Sequence, residues 1–282
     1  MTRPTVSIIV PIYNHACFIK SALRSIADQS YRPLEVIIID DGSSDGSDAV
    51  ASQYIQDMMP QAKFLARGNC GAANTINEGI LLSSGEFINI LNSDDEFNPL
   101  RIEQCIDAAL RFKRDMIYTR VEFIDEIGNA AENDDYIAAL DEAQKTLRDY
   151  PTLGFALMKN QLAISSGNLF FSRKLFEQIG GFYPYKYIHD WDFLLRSVFF
   201  QEPYVIDQCL YKYRFHGKNS FKSLDHVVGY ETTEVMRNFI WSMIARLPLN
   251  HRAPSPHYWP VVFDRVIEKL SYHMYLPPKF RN

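Results

Sequence analysis

VSIIVPIYN, residues 6–14, and VIIIDDGSSD, residues 36–45, decide the fold. In each, a short β-branched apolar run stops at turn-prone polar residues, as expected of a strand buried on both faces of a parallel sheet. The strands are read as Val6 to Val10 and Leu34 to Ile39. Between them, from Ala16 to Ser30, residues Phe18, Ile19, Ala22, Leu23 and Ile26 recur at helical spacing. A β-α-β unit is predicted.

The same alternation continues outward, with a helix from Ala49 to Met58, a strand from Ala62 to Leu65, a helix from Ala72 to Leu82 and a strand from Phe87 to Leu91. This order predicts an α/β fold with a doubly wound, mostly parallel sheet, whose ligands bind beyond the carboxyl ends of the strands. Three polar clusters, Pro11 to Asn14, Asp40 to Ser44 and Asn92 to Asp95, each follow a strand and would line one crevice. Further on, Ile117 to Asp125 reads as strand, the acidic stretch Asp134 to Asp149 as surface helix or loop, and Leu169 to Phe171 as the start of another strand. From Tyr230 the pattern is helical: Val235, Phe239, Ile240, Met243 and Ile244 form one apolar stripe and Val262 to Leu270 another, separated by the proline-rich stretch Ala253 to Pro260. The organisation expected is one domain over residues 1–225 and a C-terminal helical extension over residues 226–282.

Composition narrows the function classes. With 282 residues, 47% hydrophobic and 22% charged, the chain has ample material for a core and no low-complexity run. A formal net charge of −5 and a pI near 5.8 give no footprint for nucleic acid. Cys17, Cys70, Cys105 and Cys209 are scattered, with no CxxC pair or zinc spacing, which points to a reduced, cytoplasmic protein. The apolar run after Met1 is too short for a signal-peptide core, and no later stretch reaches the roughly 18 to 20 apolar residues of a membrane span. Any approach to a membrane would be peripheral, at its inner face.

Two acidic pairs could carry chemistry. Asp94 and Asp95, at a strand end, could share a hard divalent cation and the diphosphate oxygens it bridges. They could equally be a turn or a cap for the helix read over Pro99 to Phe112. Asp40 and Asp41 have the same two readings: a turn, or acceptors for the N–H and O–H donors of a base and ribose.

Taken together, the motifs resemble the family 2 glycosyltransferases of the GT-A fold. VSIIVPIYN is similar to that family's opening strand, VIIIDDGSSD to its base-binding signature, and GNCGAANTINEG, residues 68–79, to the helix start that follows. Ser84 to Glu86 through Asp94 and Asp95 resembles its metal motif. Gly167 to Arg173 with Ile179 to Phe182 resembles its acceptor-side strand and turn, His189-Asp190-Trp191-Asp192 its catalytic segment, and Tyr213 to His216, with Asn219 and Ser220, an element that supplies a further metal ligand. The likeness spans about residues 5 to 220.

The resemblance implies an inverting glycosyltransferase moving a single sugar from a nucleotide-diphosphate-sugar (UDP, dTDP or GDP) to the hydroxyl of a glycan or lipid-linked glycan, in bacterial surface glycan or polysaccharide synthesis. It implies Mn²⁺ or Mg²⁺ as cofactor, held by Asp94, Asp95 and His216. Asp41 would accept hydrogen bonds from the base, Tyr13 would stack on it and Pro11 would shape the pocket wall, while Asp94 also holds ribose. Asp190 would be the general base and Trp191 would pack beside donor or acceptor. Asp192 is expected to cap or orient the helix Phe193 to Phe200. Two departures stand out: Asn92 replaces a common Asp, and His189 stands where Glu is common.

Rival readings fare worse. No GxGxxG follows the first strand and no P-loop is present, so a dehydrogenase is disfavoured. A nucleotidyltransferase leaves the segments at Asp190 and His216 unexplained. The remaining alternative is a catalytically inactive nucleotide-sugar-binding or interaction module of the same fold. Membrane helices and the Gln-x-x-Arg-Trp motif of processive synthases are missing from the sequence, so one sugar per encounter is expected. The apolar C-terminal stripes, with Lys279 and Arg281 at the end, are expected to pack in the core, with a part left for peripheral membrane contact or a homodimer.

Overall fold

The computed structural model describes residues 3–131, 135–145, 149–217 and 225–278. Its opening unit is β1 (Val6–Ile12), α1 (Ile19–Ala27) and β2 (Leu34–Asp40), continued by α2 (Ser47–Met58), β3 (Lys63–Ala66), α3 (Ala72–Leu81) and β4 (Phe87–Ile90). β1 pairs with β2 in parallel from Val6 opposite Leu34 to Ile12 opposite Asp40, and with β4 from Val6 opposite Phe87 to Ile9 opposite Ile90. The carboxyl ends of β1, β2 and β4 therefore lie side by side, and the three polar clusters emerge at one edge.

The second half comprises β5 (Glu96–Phe97), α4 (Arg101–Phe112), β6 (Met116–Ile124), α5 (Asp135–Lys145), α6 (Leu153–Leu157), β7 (Phe170–Ser172), α7 (Arg173–Ile179), α8 (His189–Val198), β8 (Tyr204–Arg214), α9 (Asp225–Ala245) and α10 (Pro260–Lys269). Among the described residues the eight strands form one sheet in the order β3-β2-β1-β4-β7-β6-β8-β5. The expected parallel arrangement holds from β3 to β4. β7 then runs antiparallel to both β4 and β6, β8 returns parallel to β6, and β5 closes the edge antiparallel to β8. The strand β8 is absent from the sequence reading. Its Asp207, Gln208 and Cys209 are exposed, so no continuous apolar run marks it.

Period-two alternation distributes the strand side chains to two cores, one on each face of the sheet. Ile8, Val10 and Ile38 pack with α1, α2 and α4, whereas Ile9, Ile37 and Ile39 pack with α3 and α6 to α10. On α1 the buried residues include Ile19, Ala22, Leu23 and Ile26, the stripe read from the sequence. Val235, Phe239, Ile240 and Met243 of α9 are buried and Ile244 half-buried, in the same apolar cluster as Ile9 and Ile37. Lys279 and Arg281, Asn219 and Ser220, and, of the acidic stretch Asp134 to Asp149, Asp134 and residues 146–148 lie outside the described residues.

Candidate active site

The loops beyond β1, β2 and β4 enclose a cavity of about 740 Å³. Pro11, Tyr13, Asp41, Asp94 and Asp95 line it from the sheet, Asp190 and Trp191 from α8, and Val228 and Thr232 from α9. Five of these were expected on the donor side and one as the base; the fold brings them to one hollow.

Asp41 follows β2, its amide bonded to Ile12 O at 2.8 Å. Its buried carboxylate accepts from the Cys70 amide (2.8 Å), the Gly71 amide (2.9 Å) and the Arg67 guanidinium. Arg67 is held in turn by Glu78 (2.7 Å) and Thr75 (2.9 Å). The pocket floor is thus a fixed surface, its carboxylate already bonded on both oxygens. Gly42 is required beside it: at φ +77°, a Cβ there would meet the Asn69 amide nitrogen at 2.8 Å. Tyr13 is 50% exposed at the rim, where its ring is open to a planar ligand.

A cluster of three side chains sits next to this floor. His216 Nε2 lies 3.1 Å and His15 Nε2 3.7 Å from Asp94 Oδ2, and the three groups can offer ligand atoms within 4.8 Å of one another. His15 is positioned by its surroundings: its amide donates to Ser47 Oγ (2.8 Å), and its Nδ1 lies 2.8 Å from Ser93 Oγ. Burial opposes ionisation of Asp94, but the two imidazoles outweigh it and hold the carboxyl below its ordinary range. Two imidazole nitrogens and one carboxylate form a donor set suited to a divalent cation such as Mn²⁺.

Asp95, expected beside Asp94 among the ligands, has other partners. It accepts from Tyr211 OH, from the Arg214 amide (2.8 Å) and from Asn92 Nδ2 (3.3 Å). Burial, and then the neighbouring Asp94 charge, push its carboxyl well above the usual range. In the geometric cluster the place beside Asp94 and His216 is taken by His15, which the motifs above do not include. The signal was available: a metal-binding residue type directly after a polar cluster at a strand end.

Asp190 occupies the first turn of α8 and accepts from the Trp191 amide (2.7 Å), while the Trp191 indole is pinned to Leu157 O (2.9 Å). Burial raises the Asp190 carboxyl above its ordinary value, offset in part by His189 and by bonds from Trp191 and Gln161. A carboxylate of raised basicity on a cavity wall is suited to take a proton. Asp192 faces elsewhere, bonded to Arg196 at 2.6 Å and lining a second cavity of about 360 Å³. Ile164, also on the main cavity, has φ +70° and a Ser165 amide to Ala163 O bond of 2.8 Å, a strained conformation for a β-branched residue.

Similarity to known proteins agrees with this geometry. An uncharacterised glycosyltransferase of Rickettsia typhi is 29% identical over 232 residues, covering 81% of this chain and 70% of that protein. The putative glycosyltransferase EpsH of Bacillus subtilis is 29% identical over 77% of this chain and 62% of its own length. The structure of S. aureus TarS 1-349 with UDP-GlcNAc superposes with a TM-score of 0.67 at 17% identity, covering 98% of this chain and 77% of that one. A mannosyltransferase from Pyrobaculum calidifontis, in complex with GDP-Man and Mn²⁺, gives 0.60 at 18% identity over 98% and 73%. Among the described residues no helix is long and apolar enough to cross a membrane. The family model for glycosyl transferase family 2 matches residues 7–180, well over half of the sequence, and the chain therefore belongs to that family, a glycosyltransferase built on the GT-A fold.

Proposed function

We propose that the protein transfers one sugar from a nucleotide-diphosphate-sugar to an acceptor hydroxyl with inversion at the anomeric carbon. The observation that carries this is the meeting, in one cavity, of the fixed carboxylate floor at Asp41, of His15 and Asp94 from the cluster that His216 completes, and of a carboxylate of raised basicity at Asp190. Asp41 and Tyr13 hold the base, with Pro11 as wall, and Asp94 holds ribose. Asp190 takes the proton of the acceptor hydroxyl as the new glycosidic bond forms, and the nucleoside diphosphate leaves with the electrons of the broken C–O bond. Trp191 packs beside the sugar and keeps water from the reacting face.

His15, Asp94 and His216 would hold a divalent cation, with Asp95 fixing the loop behind Asp94. Mn²⁺ fits rather than Mg²⁺, because two of the three donors are imidazoles and Mg²⁺ takes oxygen ligands. When bound, the cation supplies charge neutralisation for the diphosphate. The UDP-sugar and GDP-sugar bound by the two structural neighbours make both nucleotides candidates here, alongside dTDP. The role in surface glycan or polysaccharide synthesis, the cytoplasmic setting and a peripheral contact or homodimer through the outward face of α9 and α10 belong to the same proposal. Sedimentation with anionic vesicles and gel filtration test that contact; a monomer that stays in the supernatant removes it.

The central test is thermal shift of the intact chain with UDP-, dTDP- and GDP-sugars, with and without Mn²⁺, followed by transfer and donor hydrolysis. Stabilisation by one nucleotide class that needs the cation, and is lost in Asp94→Asn and weakened in His15→Ala, supports the proposal. Undiminished transfer in EDTA, or an unchanged Mn²⁺ shift in both variants, refutes the ligand set. Donor binding without any turnover would favour a binding module.

A further inference from the structure

Glu231 lies on α9, in the segment that the sequence reading separates from the site. Its side chain is 7% exposed, and its carboxylate accepts from three consecutive backbone amides: Lys186 at 2.7 Å, Tyr187 at 2.9 Å and Ile188 at 3.3 Å. Ile188 is the N-cap of α8, which begins without a side-chain cap of its own. Helix starts leave amides that need acceptors, and they favour a nearby anion. Here the acceptor comes from another helix, 43 to 45 residues away in sequence.

The clamp ends two residues before Asp190. Lys186, Tyr187 and Ile188 also line the main cavity, as do Val228 and Thr232 on either side of Glu231. A loop held by three hydrogen bonds to one buried carboxylate has little freedom, and the first turn of α8 inherits that rigidity. From this we infer that Glu231 is a positioning residue: it fixes the loop 186–188 and thereby the carboxylate of Asp190, so that α9 is a working part of the transfer site. The inference rests on Asp190 being the base.

Glutamine at position 231 keeps the length, but one oxygen becomes an NH₂ that repels the facing amides. Misplacing a catalytic group by about 1 Å costs on the order of 100-fold, so Glu231→Gln should lower kcat roughly 10- to 100-fold, with donor affinity within about two-fold of wild type. Because Glu231 acts through Asp190, the double variant with Asp190→Asn should be no slower than Asp190→Asn alone by more than about two-fold. Amides 186–188 should exchange hydrogen faster in Glu231→Gln, while β1 and β4 amides keep wild-type rates. Glu231→Asp, which retains the charge one methylene short, should recover part of the rate. Additive losses in the double variant, or wild-type kcat with faster-exchanging amides, overturn the inference alone. A near-wild-type Asp190→Asn overturns the base assignment and the inference with it.

Discussion

At the scale of single residues, Asp190 and Asp192 share a helix turn but differ in what they meet. Asp190 lines the cavity with one backbone donor on its oxygen, whereas Asp192 is bonded to Arg196, which also donates to Ile179 O and Gly181 O. General-base assistance accounts for about 10²- to 10⁴-fold in rate, so Asp190→Asn should lose transfer by that factor with donor affinity little changed. Burial raises this carboxyl in the folded chain, so the native state keeps the proton to higher pH than the unfolded one, and stability falls as pH climbs through that window. At neutral pH the wild type carries a buried charge that asparagine removes; Asp190→Asn should melt no lower than wild type. Wild-type transfer should decline on the acid side through an apparent pKa above the ordinary Asp value of 3.8. Burial also raises the Asp192 carboxyl, with Arg196 opposing, so Asp192→Asn removes a buried charge together with a charged hydrogen bond. It should lower Tm only as far as Arg196 is left without its carboxylate, while sparing chemistry. If Asp192→Asn is folded and inactive while Asp190→Asn transfers normally, the roles are exchanged. The sequence marks both acids as helix-start residues, while the fold shows what each meets: the cavity for Asp190 and Arg196 for Asp192. For His15 the sequence shows a residue type and a strand end, but that Asp94 and His216 stand beside it is visible only in the fold.

Among the elements, β1, β2 and β4 were readable because burial on both faces demands nearly continuous apolar runs, interrupted here by the buried Ser7 and Asn89. β8 was hidden by its composition and by the register shifts at Thr119, Arg120 and Val121 where it meets β6. Yet β8 delivers Tyr211 and Arg214, which hold Asp95 and so shape the loop that carries Asp94. The amino ends of the strands, away from the site, are joined by Glu35 of β2. It accepts from Ser7 Oγ (2.7 Å), the Ser84 amide (2.7 Å) and Lys63 Nζ (3.0 Å). Burial opposes ionisation of Glu35, but the Ser84 amide, Ser7 and Lys63 together bring its carboxyl down from 4.5 to about 2. A depressed carboxyl stabilises the fold above its unfolded pKa, and that contribution is lost as pH falls from about 4.5 toward 2. Glu35→Gln should therefore lower Tm at neutral pH and flatten its drop between about pH 5 and 3, with neutral-pH transfer unaffected. An acid slope as steep as wild type in the variant would show that the junction contributes nothing.

Across the whole molecule, the open question is what the last 57 residues, 226–282, contribute. The sequence pattern announces amphipathic helices, and such a pattern says that one face is buried without saying against what. In the folded chain Val235, Met236, Phe239, Ile240, Met243, Phe263, Val266 and Ile267 all enter the core cluster that holds Ile9, Ile37 and Phe193. Removing them strips the cover from α8 and from one face of the sheet. Burying each such side chain contributes about 1.5–3 kcal/mol, so eight sum to roughly 12–24 kcal/mol, an upper figure because unfolded chains already bury some apolar surface. Domains of this kind are stable by only about 5–15 kcal/mol in total. The truncated chain no longer has to order α9 and α10, which recovers part of the difference, but the uncovered faces of Phe193, Leu194 and Phe199 remain exposed to water. A chain ending after about residue 228 should accordingly be insoluble, or lose its cooperative thermal transition, before any question of activity arises. On this view the boundary proposed at residue 225 separates roles within one folding unit: a donor-binding sheet before it, and after it helices that complete the core and, through Glu231, brace the transfer site. Circular dichroism melts of the truncated and full chains decide the matter. A soluble fragment melting cooperatively near the full-length Tm would mean that the sheet domain folds alone and that α9 and α10 are a detachable extension.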